Sequence, residues 1–429
     1  MLTPEENEDL ARVGPGTPCG ELLRRYWHPI AVASELTTER PKKRIKVLGE
    51  ELVLYRDPNG GYGLVGEHCS HRAASLYYGF LEDGGIRCAY HGWLYDRAGR
   101  CLEQPFEPAQ SMMKHAIHHP AYPVQKLAGL LFAYLGPEPA PLLPRWDVVA
   151  REDGHRKIDV HPILDCSWLQ AMENSLDPVH VYYLHGHTMV TRGVWERNHY
   201  RRIEGYDFEQ FEWGIVKKRT YGGDGTDQYQ EPGHPAVFPN MLRHSGEGRD
   251  GSNPFDGTMP IDIHWRVPID DTHTQIFWMG FWPSKDGSWS DPLEDDPPVT
   301  YMEPLKSPEG AFHMTSFPSQ DAMAWETQGP IFDRSREHLG ASDRGVAMWR
   351  ELLREQIETV HRGGDPMGVV RDPEKNRLIT FSPARIRVGD RLEIVGIPEG
   401  AKQDTKYRAD GAPRPELSDS CRLRARARR

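Results

Sequence analysis

The spacing of apolar residues changes character several times along the chain, and each change marks a different kind of element. Thr3-Pro4-Glu5-Glu6 carries a capping-box pattern with proline at the first helical position, so a short helix is predicted to run to Val13, where Gly14-Pro15-Gly16 breaks it. Thr17-Pro18 opens a second helix that carries Leu22, Leu23, Tyr26 and Trp27 towards a core. From about residue 44 to residue 139, short β-like runs lie between glycine-rich turns. RIKVLGEELVLYRD reads as two strands about a glycine turn, and GYGLVGEHCSH, GGIRCAYHGWLYD and GLLFAYLG follow as further strands. GPEPAPLLPRWD closes the block as a linker. Residues 165–190 read as helical, and strands return in FEWGIVKKRTY, GTMPIDIHWRVPI and TQIFWMGFWP, the last two joined by a hairpin in VPIDDTHTQ. The clearest amphipathic helix spans 342–362: Val346, Trp349, Leu352, Leu353, Ile357 and Val360 fall near helical spacing, and Gly363-Gly364 stops it. Beyond about residue 402 the chain is polar and ends arginine-rich, which predicts a disordered tail.

At 429 residues the chain exceeds what one ordinary core supports, so two domains are expected. It has no run of about 18 apolar residues, so no membrane span is expected. The acidic start, MLTPEENEDL, does not read as a secretory signal, which points to the cytoplasm. A net charge of −11 argues against general nucleic-acid binding. Cys19, Cys69, Cys88, Cys101, Cys166 and Cys421 are scattered, which speaks against a disulfide framework and leaves thiolates for metal.

Cys69-Ser70-His71 and Cys88-Ala89-Tyr90-His91 each offer one thiolate and one imidazole within a short turn. Two thiolates with two imidazoles suit a soft metal centre, and two histidines on one iron of a 2Fe–2S cluster raise its potential. Structural zinc takes the same Cys2His2 composition, though this chain lacks the closely spaced cysteine pair usual there. Asp177-Pro178-Val179-His180, with His185, forms a second set. Asp177 and His180, at i and i+3, are expected on one helix face. His180 and His185, at i and i+5, stand about 140° apart on an ideal helix, so both reach one metal only where the helix is distorted or ends between them. Two imidazoles and a carboxylate with open positions make the facial triad of Fe(II) oxygenases.

Residues 67–93 resemble a Rieske centre, without the extra loop cysteines of the respiratory type. Residues 173–185 resemble the mononuclear iron motif of Rieske non-heme iron oxygenases. RVGPGTPCGELLRRYWHPIA and QGPIFDRSREHLGASDRGV are similar to the phthalate dioxygenase branch of that family, which includes oxygenase components of aromatic O-demethylases. CAYHGWLYDRAGRCLEQPFEP is similar to demethylases acting on lignin-derived methoxy acids. The likeness covers roughly residues 1–400.

That resemblance implies an α+β fold, with an all-β Rieske domain and a helix-grip type catalytic domain built on a central antiparallel sheet. The expected divisions are N-terminal helices over 1–40, the Rieske domain over 41–147, the catalytic domain over 148–401 and the tail over 402–429. By the same resemblance Cys69, His71, Cys88 and His91 hold a 2Fe–2S cluster, while His180, His185 and the distant Asp321 hold a mononuclear Fe(II), with Glu326 as the rival third ligand. Asp177, with Asn174 beside it in the motif, is implied as catalytic, linking His180 to His71 or His91 of a neighbouring subunit. A homotrimer is implied, served by a separate reductase with or without a ferredoxin. No G-x-G-x-x-G fingerprint follows a strand, which leaves NAD(P)H to that partner. The expected substrates are O2 and an aromatic carboxylate, and the expected reaction is O-demethylation of a lignin-derived methoxyaromatic acid. The alternatives are cis-dihydroxylation of the phthalate type and, from another class, a Rieske electron carrier. A carboxylate substrate wants a cationic partner; Lys217, Lys218, Arg219 and Arg243 are candidates, with Arg243 preferred and Lys218 next. Phe238, Trp278 and Trp282 are candidates for the pocket wall, and His187 is expected to be structural.

Overall fold

The computed structural model describes residues 2–197, 202–222, 233–244, 261–284 and 290–380, with the backbone of 229–230, 385–388 and 391–394. The tail expected from residue 402 lies outside the described residues. The first helix, Pro4–Ala11, is closed at its start by Thr3 and Glu6, each side chain accepting from the other's backbone N–H. A second helix, Pro18–Leu23, leads into the strand Trp27–Val32. That strand pairs with Leu130–Tyr134, so segments on either side of the cysteine-bearing block join in one three-stranded sheet.

Between them lie two four-stranded sheets. One is ordered Lys42–Val47, Glu50–Arg56, Tyr62–Gly66, Ala121–Tyr122; the other runs Phe80–Glu82, Gly85–Arg87, Leu94–Asp96, Cys101–Glu103. The Leu48-Gly49 turn of the first has φ of 49° and 79°, the double left-handed geometry of a tight hairpin that makes glycine the natural choice there. Side chains alternate along Glu50–Arg56: Leu52 and Leu54 enter the large core, while Val53 and Tyr55 enter a smaller one with Cys69, Leu76, Ile86, Cys88, Trp93 and Tyr95.

Among the described residues the largest sheet has nine strands. Its main path runs Ile203–Phe211, Gly214–Tyr221, His234–Val237, Met241–His244, Ile261–Asp270, His273–Pro283, Gly154–Val160, Val299–Tyr301. The expectation of an antiparallel sheet needs one correction: Gly154–Val160 and Val299–Tyr301 are parallel. No described helix is long and apolar enough to cross a membrane.

Against this sheet packs the helix Trp168–Leu176, buried on nearly every side. Glu173 accepts from both ends of the Arg334 guanidinium at 2.8 and 2.9 Å and from Arg350 at 2.7 Å. Arg350 also pairs with Glu337, and Arg334 donates to Asn7 Oδ1 at 3.1 Å. This network ties the helix to the N-terminal helix and to the long helix Arg344–His361. Burial pushes the Glu173 carboxyl up, but the two guanidiniums outweigh it and hold it below the usual carboxylate range. Glu173→Gln leaves two buried guanidiniums short of charge and should cost about 3–5 kcal/mol in denaturant unfolding. Breaking the exposed Arg344–Asp207 pair should cost under about 1 kcal/mol. Equal effects of the two changes would mean that the Glu173 network is not a buried anchor.

Candidate functional site

Cys69 and Cys88 begin two loops of the same construction. Each cysteine carbonyl accepts from the N–H four residues on, Ala73 at 2.8 Å and Gly92 at 3.0 Å. Each cysteine N–H donates to the carbonyl five residues on, Ala74 at 2.9 Å and Trp93 at 2.8 Å. The closing residues, Ala73 and Gly92, both have left-handed φ, 58° and 75°, a conformation that only glycine adopts without cost.

The loops set both thiols on the buried side and bring the His71 and His91 rings to 4.6 Å at the outer side, with His71 stacked on Trp93. His71 Nδ1 is buried and makes no hydrogen bond, as a ring nitrogen completed by a metal would be. Among the described residues these four side chains do not close to within 4.8 Å of one another, the spacing that His180, His185 and Asp321 do reach. A thiol floor, an imidazole rim and this wider spacing fit a 2Fe–2S group better than one zinc ion.

The second set depends on where a helix stops. Asp177 precedes Pro178, which disfavours the helical conformation, and Trp168–Leu176 ends there with Asp177 at ψ 119°. Asp177 Oδ1 then accepts from Val179 N–H at 2.7 Å and His180 N–H at 3.3 Å, capping the next helical segment. Asp177 and His180 therefore do not share a helix face, contrary to the i, i+3 expectation; they meet across a break, His180 Nδ1 lying 3.5 Å from Asp177 Oδ2. The segment Val181–His187 is π-helical. Its wider turn, closed between residues five apart, brings His180 and His185 together with ring centroids 5.4 Å apart. This is the distortion that their spacing demanded.

Asp321 arrives on the helix Phe317–Glu326. Its neighbour Gln320 donates to the Met314 carbonyl at 2.9 Å, which fixes the amide so that its oxygen accepts from His185 Nδ1 at 2.7 Å. The proton therefore sits on Nδ1, and the bare Nε2 faces Asp321 Oδ1 at 3.4 Å. Asp321 Oδ1 is buried without a hydrogen-bond partner. Two acceptors turned towards each other in this way fit a cation between them. Burial lowers the proton affinity of His185, keeping it in the neutral form that binds metal. Glu326, the rival ligand, is instead paired with Lys306. Burial pushes the Asp177 carboxyl up, but His180, the Val179 N–H and Lys217 overcome it and hold it well below the usual range.

Residues of the large sheet alternate towards and away from this site. Lys217 and Arg219 are buried, and Lys217 Nζ donates to the Asp177 carbonyl at 2.8 Å, where a cation meets the negative end of a helix. Lys218 points the other way and pairs with Glu209. Arg243 is buried beside Asp147 at 3.1 Å and falls on the opposite face from His244. Each of the two preferred substrate cations is thus paired with a carboxylate of this chain. Phe238 packs on Trp349 and Tyr26 in the core. Trp278 does join the inward face, 4.0 Å from His264, which is followed by His244 and His234. Asn174 contributes its carbonyl to the Asp177 N–H, and His187 is exposed against Tyr183. The sequence reading missed Gln320 and the row of inward histidines. Period-two alternation in GIVKKRTY was the available signal for separating Lys217 and Arg219 from Lys218.

Residues 26–123 match the family model of the Rieske [2Fe-2S] domain, and residues 307–384 match the model described as LigXa C-terminal domain like. The chain is 38% identical over 385 residues to the 5,5'-dehydrodivanillate O-demethylase oxygenase subunit of Sphingobium sp. (strain NBRC 103272 / SYK-6), covering 88% of this chain and 86% of that protein. It is 36% identical to the phenoxybenzoate dioxygenase subunit alpha of Ectopseudomonas oleovorans, covering 84% and 87% of the two chains. Among solved structures, an oxygenase and ferredoxin complex of carbazole 1,9a-dioxygenase matches with TM-score 0.57 at 19% identity, over 86% of this chain and 99% of that one.

Gln320→Leu removes the acceptor that orients His185 and should weaken Fe(II) retention about 10–100-fold, measured by iron content after dialysis against a chelator. Retention equal to that of the unaltered protein would mean that Gln320 does not set the ring.

Proposed function

Because the chain belongs to the family of Rieske oxygenase large subunits, we propose that it catalyses O-demethylation of a lignin-derived methoxyaromatic carboxylate, with electrons from a separate reductase or ferredoxin. Members are oxidoreductases that carry a Rieske 2Fe–2S cluster and a mononuclear non-heme iron, and the chain is such an oxygenase component. In this reading Cys69, His71, Cys88 and His91 hold the cluster, and His180, His185 and Asp321 hold the iron. When bound, the two centres supply electron storage and O2 activation.

The chain's own residues have separable tasks. Gln320 orients His185, and Asp177 is kept ionised beside His180. In a homotrimer Asp177 receives His71 or His91 of the neighbouring subunit, linking the two centres across the interface. Lys217 and Arg219 place two buried cations on the inward face, which suits a carboxylate. The overall change consumes the methoxyarene, O2, two electrons and two protons, and yields the phenol, formaldehyde and water.

The observation that carries the oxygenase reading is the arrangement of His180, His185 and Asp321 within 4.8 Å, for which an electron carrier has no use. The demethylase reading rests on the relative at 38% identity. Cis-dihydroxylation is the second reading, favoured by the dioxygenase relative at 36%.

Incubation with a phthalate-type reductase, NADH and a panel of methoxybenzoates should release formaldehyde and the matching phenol in equal amounts. A cis-diol without formaldehyde would establish the second reading. Asp177→Asn should retain three irons and two sulfides per chain, the content of one 2Fe–2S group and one iron, and lose turnover at least about 100-fold, the scale of an essential linking group. Turnover at the original rate would remove Asp177 from the path.

A further inference from the structure

One histidine of the cysteine-bearing unit has no part in the ligand sets above. His119 is 0% exposed and sits where three loops meet. Its backbone N–H donates to the Gly99 carbonyl at 2.7 Å, and the next carbonyl, of Pro120, accepts from Gly66 N–H at 2.8 Å. Gly99, at φ 81°, approaches the His119 carbonyl so closely that a side chain there has no room. His119 is thus pinned from both sides by backbone.

Its ring has a determined hydrogen-bonding pattern. Nε2 lies 2.9 Å from the Gly66 carbonyl and Nδ1 lies 2.8 Å from the Ser70 hydroxyl. A carbonyl only accepts, so Nε2 carries the proton. Burial lowers the ring's proton affinity and keeps it neutral, so Nδ1 accepts from Ser70. Ser70 stands between Cys69 and His71. The face of the same ring lies on Tyr95, with centroids 4.6 Å apart and planes 30° apart. The Tyr95 hydroxyl is 3.2 Å from Cys69 Sγ. A metal-bound cysteine is a thiolate with no proton to give, so Tyr95 is then the donor.

We propose that His119 is a positioning residue for the cluster: by fixing Ser70 and the ring of Tyr95, it holds the Tyr95 hydroxyl on the Cys69 sulfur and so keeps the reduction potential high. The reduced cluster carries one more negative charge, and hydrogen bonds to its sulfurs stabilise that state. The proposal rests on the reading of Cys69 as a cluster ligand.

The test is a redox titration of the loaded full chain, followed by the cluster's paramagnetic resonance, for Tyr95→Phe, His119→Leu and the double variant. Tyr95→Phe should lower the midpoint by on the order of tenfold in the one-electron equilibrium constant, about 59 mV. His119→Leu should shift it in the same direction, and should add nothing in the Tyr95→Phe background, because both changes remove one interaction. Where His119→Leu fails to load the cluster, His119→Gln carries the same comparison. An unchanged midpoint in Tyr95→Phe, or an equal shift from the His119 change with and without the tyrosine hydroxyl, would overturn the proposal. Loss of the Rieske resonance from the unaltered protein would instead overturn the ligand reading beneath it.

Discussion

The site depends on a helix that must end at one residue. Pro178 makes a helical Asp177 unfavourable, and the freed Asp177 carboxylate caps the segment that follows. Had an ordinary α-helix run from His180 through His185, the two rings would point in different directions and no single ion could reach both. The π turn after the break resolves this, and it tolerates its unusual geometry because its surroundings are fixed. Glu173 anchors the preceding helix by two buried arginines, one turn before the break. Lys217 takes the Asp177 carbonyl, and Gln320 takes His185. Each tether comes from a different part of the chain, so the break is over-determined rather than loose.

The ligand pairs were legible in the sequence because each is local. Cys69 with His71, Cys88 with His91, and His180 with His185 sit within one turn or one bend of each other. Asp321 lies far along the chain, and only likeness to a family singled it out; neither spacing nor periodicity connects it to His185. Gln320, its neighbour, escaped notice because its role exists only once two distant helices meet. The shared-face expectation for Asp177 and His180 failed for a reason visible in the sequence, since Pro178 argues against a continuous helix. Strand alternation separates Lys218 from Lys217 and Arg219, whereas the apolar run before Arg243 does not reveal which face of the sheet that residue serves. The parallel edge strand Val299–Tyr301 is too short to carry a periodic signal.

The small core and the large core are joined through a strand rather than a flexible linker. Glu50–Arg56 gives alternate side chains to each. The hairpin at Leu48-Gly49 also donates to the carbonyls of Pro268 and Ile269, at the end of a strand in the large sheet, and Lys46 pairs with Asp270 there. A displacement of the cysteine-bearing unit would have to break backbone hydrogen bonds as well as packing. The shared strand thus fixes how the cysteine-bearing unit sits on the large sheet within one chain.

The electrostatics of the inward face follow from the same economy. A nearly buried lysine and arginine are costly to desolvate unless something negative faces them. Lys217 is met by the carbonyl end of a helix and by the Asp177 carboxylate. Arg219 donates to His234, whose proton affinity is pushed well down by burial and by the surrounding Arg219, Lys217, Arg243 and His264. A histidine held neutral accepts a hydrogen bond from Arg219 without adding positive charge of its own. In the proposed reading, a carboxylate substrate meets Lys217 and Arg219 already desolvated and already oriented. Under the proposed function, an aromatic acid would gain more from these two side chains than a neutral arene of the same shape.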